Sequence, residues 1–200
     1  MSFIDNQKIV GLAFTVIGVL MIIAALLSLV DGFTMDGGLG DHAGYIVAAI
    51  GSVIAAVIYF KFGNKVRTNG ISGKLKILGN YVSVVGVTTV VIGIFAAIGG
   101  IMSDISFWDN VISIIIGLII VWAGRKILDG KQTTIDKILW ILLTVLFLIL
   151  FVVSFIGIFG VEGETLHLVV GVVSSICYAI VYLFMLCYMF DGDVKKGMGM

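Results

Sequence analysis

The chain has 200 residues, 60% of them hydrophobic and only 12% charged, with a mean hydropathy of +1.23. A water-soluble domain carries roughly 45–50% apolar and 25% charged residues, so this composition excludes one and points to helices in a bilayer. Twelve basic residues balance twelve acidic ones, and the resulting zero net charge hides how unevenly the two signs are placed.

An apolar run of about 20 residues crosses the roughly 30 Å hydrocarbon core as a helix. In chain order the sequence holds six such runs, at 9–30, 44–60, 77–101, 111–123, 138–160 and 166–190. They are continuous, whereas the strands of a membrane barrel alternate apolar and polar residues in segments of about ten. The first run follows Lys8 and continues for 22 residues into Asp31 and Gly32. A cleaved signal peptide has an apolar core of only about 7–15 residues, so this run is read as a retained span.

The second run ends in "KFGNKVRTNGISGKLK" (61–76), with five basic residues and no acidic one. It is expected to be the longest inner loop, and each basic residue near anionic headgroups is worth about 1 kcal/mol. No aromatic residue follows Phe62 to stack bases, which argues against nucleic acid. The third run carries glycine at 79, 86, 93 and 100. Glycine costs a helix about 1 kcal/mol against alanine. A seven-residue spacing drifts only about 20° per step and stays on one face. Lipid is as apolar as leucine, so helices in it associate by close approach, which small residues permit. The stripe is therefore expected to be a packing seam.

The fourth run is the shortest and draws on Phe107, Trp108 and Trp122 to reach the interfaces. The fifth presents Trp140 and Phe147 where the third has glycine, and these are expected to fill the grooves of the first and third helices. In the sixth, Cys177 and Cys187 stand ten residues apart, about 15 Å along a helix and beyond disulfide reach. "DGD" (191–193) beside Lys195 and Lys196 reads as a helix end with a solvated tail. The chain has no proline, which disfavours the broken helices of many transport sites.

Every Lys and Arg falls on one side of this plan: Lys8, the 61–76 group, Arg125 to Lys137, and Lys195 with Lys196. The other side holds Asp31, Asp36, Asp41, Asp104, Asp109, Glu162 and Glu164. The positive-inside rule then puts both termini in the cytoplasm of a cell-membrane protein. Sliding the chain by 68 residues lays Lys8, Gly11, Gly18, Gly32 and Asp36 over Lys76, Gly79, Gly86, Gly100 and Asp104. In the even helices, Gly44 and Gly51 echo the spacing of Gly117 and Gly124, and "FGNK" at 62–65 echoes "LDGK" at 128–131. The expected fold is all-α: one transmembrane domain over 1–200, six helices in a compact bundle of three tandem hairpins at about 8–62, 76–128 and 137–190.

Catalytic motifs such as H-E-x-x-H, G-x-S-x-G or a P-loop are missing. No Asp, Glu, Lys or Arg interrupts the middle of a span. The sequence therefore predicts no enzyme, no catalytic, cofactor or metal residue and no cofactor. His42 and His167 lie near the outer carboxylates, but without ligand spacing. Thr88, Thr89, Ser174 and Ser175 are the residues expected to line a neutral cavity if one exists. The leading expectation is a non-enzymatic packing subunit or self-associating scaffold in contact with lipid and membrane-protein partners or a second copy. The alternative is a transporter or channel for a small neutral or apolar solute.

Overall fold

In a computed structural model of the chain, the structure describes residues 6–34, 36–103, 107–160 and 165–200, and of 165 and 167 the backbone alone. Seven helices occur in order: α1 (Gln7–Thr34), α2 (Leu39–Arg67), α3 (Lys74–Met102), α4 (Phe107–Leu128), α5 (Thr134–Gly157), α6 (Thr165–Met189) and α7 (Gly192–Gly197). Among the described residues there is no strand. The first six are long and apolar enough to cross a bilayer, as an integral membrane protein requires.

Most helices overrun their apolar segments, because charged residues at a membrane interface continue a helix without entering lipid. This changes the basic 61–76 segment. Lys61, Lys65 and Arg67 belong to the last turns of α2, and Lys74 and Lys76 to the first of α3. Only residues 68–73 connect the two helices. The reversal rests on Asn69 and Gly73, at φ 60° and 91°. Gly70 N and Ile71 N both donate back to Lys65 O, and Gln7 Nε2 holds the carbonyls of Val66 and Ile71. Cations in the last turn also suit the negative end of the helix dipole.

At the start of α5, Asp136 accepts from Thr133 N at 2.8 Å and Thr133 Oγ1 at 2.6 Å, which caps the helix. At the acidic end Asp41 accepts from Gly38 N at 3.0 Å, ahead of α2.

α1 packs most extensively on α2, and α3 on α4; α2 joins α3, while α6 lies on α1 and α5 on α6. α4 and α5 scarcely touch. The glycines explain the intimate pairs. A Cβ on Gly18 would lie 2.6 Å from Phe60 Cα, and one on Gly86 would lie 2.5 Å from Val121 N. In return, a Cβ on Gly63 would meet Thr15 N at 2.5 Å and one on Gly124 would meet Ser83 N at 2.5 Å. Gly44 and Gly51 instead face α3, at Gly99 and Phe95. Of the four stripe glycines of α3, 79, 86 and 93 face α4, whereas Gly100 lines a hollow at the acidic end with Asp41, Tyr45 and Asn110.

The aromatic residues of α5 do not enter these grooves, which α2 and α4 already occupy. Trp140 Nε1 donates to Met189 O at 2.7 Å, and its ring meets Phe190 edge-on. Phe147 is buried against Tyr81, 6.1 Å between centroids.

The tail is solvated on one side only, with Gly192, Asp193 and Lys196 exposed. α7 folds under the basic end, with Val194 and Met198 fully buried. A Cβ on Gly197 would lie 2.5 Å from Leu75 Cδ2. Lys74 binds Asp191, Gln132 Nε2 donates to Lys196 O at 2.8 Å, and the Lys195 ammonium sits 5.8 Å from the Trp140 ring. Val194 and, just past the helix end, Met198 stand four positions apart and give this short segment a buried face.

Candidate functional site

Because α4 and α5 diverge, a cleft opens between them toward the lipid. Its cavity is about 150 Å³, walled by Ile119, Ile120 and Ala123 of α4, Leu143, Leu146, Phe147 and Leu150 of α5, and Val82 and Val85 of α3. Tyr81 of α3 and Tyr182 of α6 are its polar members.

Behind them lies an aromatic cluster. Phe14 packs against Phe62 at 4.9 Å and Tyr81 at 5.2 Å, and Tyr59 meets Tyr81 edge-on at 6.2 Å. Such contacts add roughly 0.5–1.5 kcal/mol each to their burial. Tyr178 and Tyr182, one turn apart on α6, stack at 6.0 Å.

Tyr59 is 3% exposed, and its Oη is the one buried side-chain polar atom lacking a hydrogen-bond partner among the described residues. An unsatisfied buried donor costs about 1–3 kcal/mol.

The hydroxyl residues singled out from the sequence do not converge. Thr88 Oγ1 and Thr89 Oγ1 both donate to Val85 O at 2.9 Å, within their own helix. Ser174 faces a separate hollow of about 330 Å³ between α1 and α6, beside Ser28 and Tyr178. Ser175 Oγ lies toward α5, 3.6 Å from where a Cβ on Gly157 would stand.

Tyr59, Tyr81 and Tyr182 escape a reading of the sequence, because isolated tyrosines in apolar helices are ordinary interface or core residues. The i, i+4 pair Tyr178 and Tyr182 is the one signal available.

At the acidic end, His42 Nδ1 is 2.9 Å from Gly32 O, which fixes its ring to α1. Asp104, Glu162 and Glu164 lie outside the described residues, as does the His167 side chain. No cluster of three metal-ligating side chains occurs among the described residues.

At the basic end, Lys126 closes α4 against α5, 2.6 Å from Asp129 and 3.5 Å from the buried Asp136. Lys126 and the backbone of Lys131 hold the Asp129 carboxyl below its usual range. No family model matches this chain, and no curated protein and no solved structure is significantly similar to it.

Proposed function

We propose that this is a non-enzymatic multi-pass membrane protein that binds a small neutral, largely apolar molecule, admitted from the bilayer through the α4/α5 cleft. The carrying observation is the lipid-open hydrocarbon cleft with Tyr81 and Tyr182 on its wall and the unpartnered Tyr59 hydroxyl behind them. Ligand sites are mostly apolar with a few placed polar groups, and this one offers phenol donors and no charge. It therefore suits a lipophile bearing one uncharged acceptor, such as a ketone. The termini are placed in the cytoplasm on the distribution of Lys and Arg.

The tandem organisation belongs to the same reading. A shift of 68 carries Thr15 onto Ser83, and a shift of 61 carries Phe60, Gly63 and Arg67 onto Val121, Gly124 and Leu128. Under those two shifts the contacts correspond. Gly11 meets Arg67 as Gly79 meets Leu128, and Gly18 meets Phe60 as Gly86 meets Val121. Even the internal bonds match, Thr15 to Gly11 O and Ser83 to Gly79 O. We read α1–α2 and α3–α4 as two copies and α5–α6 as a diverged third. The glycine stripes are then occupied within the chain, which leaves the assembly role with less support than the ligand role.

Benzophenone, a neutral ketone that inserts into C–H bonds on illumination, tests this in protein reconstituted into phosphatidylcholine nanodiscs. Labelling is expected on 119–123 and 143–150, and reduced by Ala123→Phe or, at the exposed rim, Leu146→Phe. Uniform labelling of lipid-facing residues, unchanged by both substitutions, overturns the reading.

A further inference from the structure

We propose that the groove between the basic ends of α2 and α3 is a binding site for an anionic diacyl phospholipid, its phosphate held by Lys61 and Lys65. The groove encloses about 270 Å³. Its walls change character along the bilayer normal. Ile58 of α2 and Val84 of α3 line it toward the membrane centre, and Lys61, Lys65 and Asn80 line it toward the basic end. That gradient fits an amphiphile lying upright, with acyl chain against the aliphatic wall and headgroup among the amines. Lys61 and Lys65 stand one turn apart on one helix face. Ile71 forms a lip, fixed because Gln7 holds its carbonyl.

The second observation is a difference between corresponding lysines. The shift of 61 that superposes the contacts of α2 and α4 carries Lys65 onto Lys126. Lys126 is neutralised by Asp129 and Asp136. Lys65 and Lys61 have no carboxylate partner among the described residues, and both are exposed. The anion that the chain supplies to one lysine it leaves to the surroundings at the other. At headgroup depth the abundant anion is a lipid phosphate, and basic pockets between spans are known to hold such groups.

Native mass spectrometry in neutral detergent, titrating dioleoyl phosphatidylglycerol and dioleoyl phosphatidylcholine, tests the site. The anionic lipid should bind roughly 30-fold tighter, about five- to sixfold per lysine. Lys61→Gln with Lys65→Gln should erase most of that preference, while the charge-matched pair Lys8→Gln with Lys131→Gln should keep it. The wild-type preference should also fall with added salt, a readout that needs no variant. Equal binding of the two lipids overturns the proposal, as does equal loss in the control pair. Displacement of the lipid by soluble glycerol phosphate at matched concentration would also overturn it, assigning the lysines to a free phosphate.

Discussion

Helices α1–α4 and helices α5–α6 solve the problem of association in lipid in two ways. In the first group glycine brings backbones together, so that Gly86 lies against Val121 N and Gly117 O. In the second, α5 is built almost wholly of large apolar residues and has a single glycine. Gly157, set in α5, would accept a Cβ at an ordinary 3.6 Å from Ser175. Along its whole length α5 buries only Asp136, Leu139, Leu143 and Phe147. Close packing is the main attraction between spans, since lipid supplies no hydrophobic drive. Hence the first four helices form the firmly joined part, and the cleft opens where the glycine contacts stop.

The largest test of this contrast is Gly86→Leu. Its new side chain would strike backbone atoms of α4 within 3 Å, which a rotamer change cannot relieve. Overpacking costs about 1–3 kcal/mol in a tolerant core and more where backbone must move, so loss of monodisperse protein in size-exclusion chromatography is expected. Gly157→Ala should leave the elution profile and melting temperature unchanged. If the two variants behave alike, the contrast between the two groups fails. Next in size is Phe147→Ala, which removes the aromatic anchor of α5 from Tyr81. A loss of about 3–4 kcal/mol is expected from the cavity created, read as reduced thermal stability in detergent.

Hydropathy and the glycine register are legible because both are local properties of one helix. The first four apolar runs lie within α1–α4, the last two overrun the ends of α5 and α6 by three residues and one, and Gly79, Gly86 and Gly93 all lie on the α3–α4 contact. What depends on pairing is not legible. From spacing alone, Gly44 and Gly51 look equivalent to Gly117 and Gly124. In the contacts Gly63 meets Thr15 as Gly124 meets Ser83, whereas Gly44 and Gly51 face α3. The partner faces set that register, and no single helix encodes them. The same holds for the tyrosines: Tyr59 and Tyr81 lie 22 positions apart and meet because α2 and α3 pack as they do. α7 escapes because one turn of helix carries too few apolar residues to register as a run, though the burial of Val194 and Met198 decides its place.

The Tyr59 hydroxyl sharpens the comparison, because it lies where the firmly joined helices face the cleft. Removing it by Tyr59→Phe keeps the ring contacts with Phe14, Phe62 and Tyr81 and deletes the unsatisfied donor. A gain of about 1 kcal/mol in ligand-free detergent is expected, seen as a higher melting temperature. Destabilisation instead would mean that the hydroxyl is satisfied and that the cluster is ordinary core.

The smallest effect concerns the C-terminal strap, which is held to α3 by charge as well as by Val194 and Met198. Lys74, together with the amides of Asp193 and Val194, keeps the Asp191 carboxyl below its usual range. A carboxylate whose folded pKa is depressed stabilises the fold fully above its unfolded value of about 3.9, and that contribution disappears as pH falls through the lower folded value. The strap should therefore be insensitive to pH from neutrality down to about 5 and loosen only in stronger acid. Hydrogen exchange of residues 192–198 measures this directly. Lys74→Gln should move the loosening toward the ordinary carboxylate range, because the partner that lowers the pKa is gone. An unshifted profile would leave the strap held by its buried face alone, and the salt bridge with no part in closing the basic end.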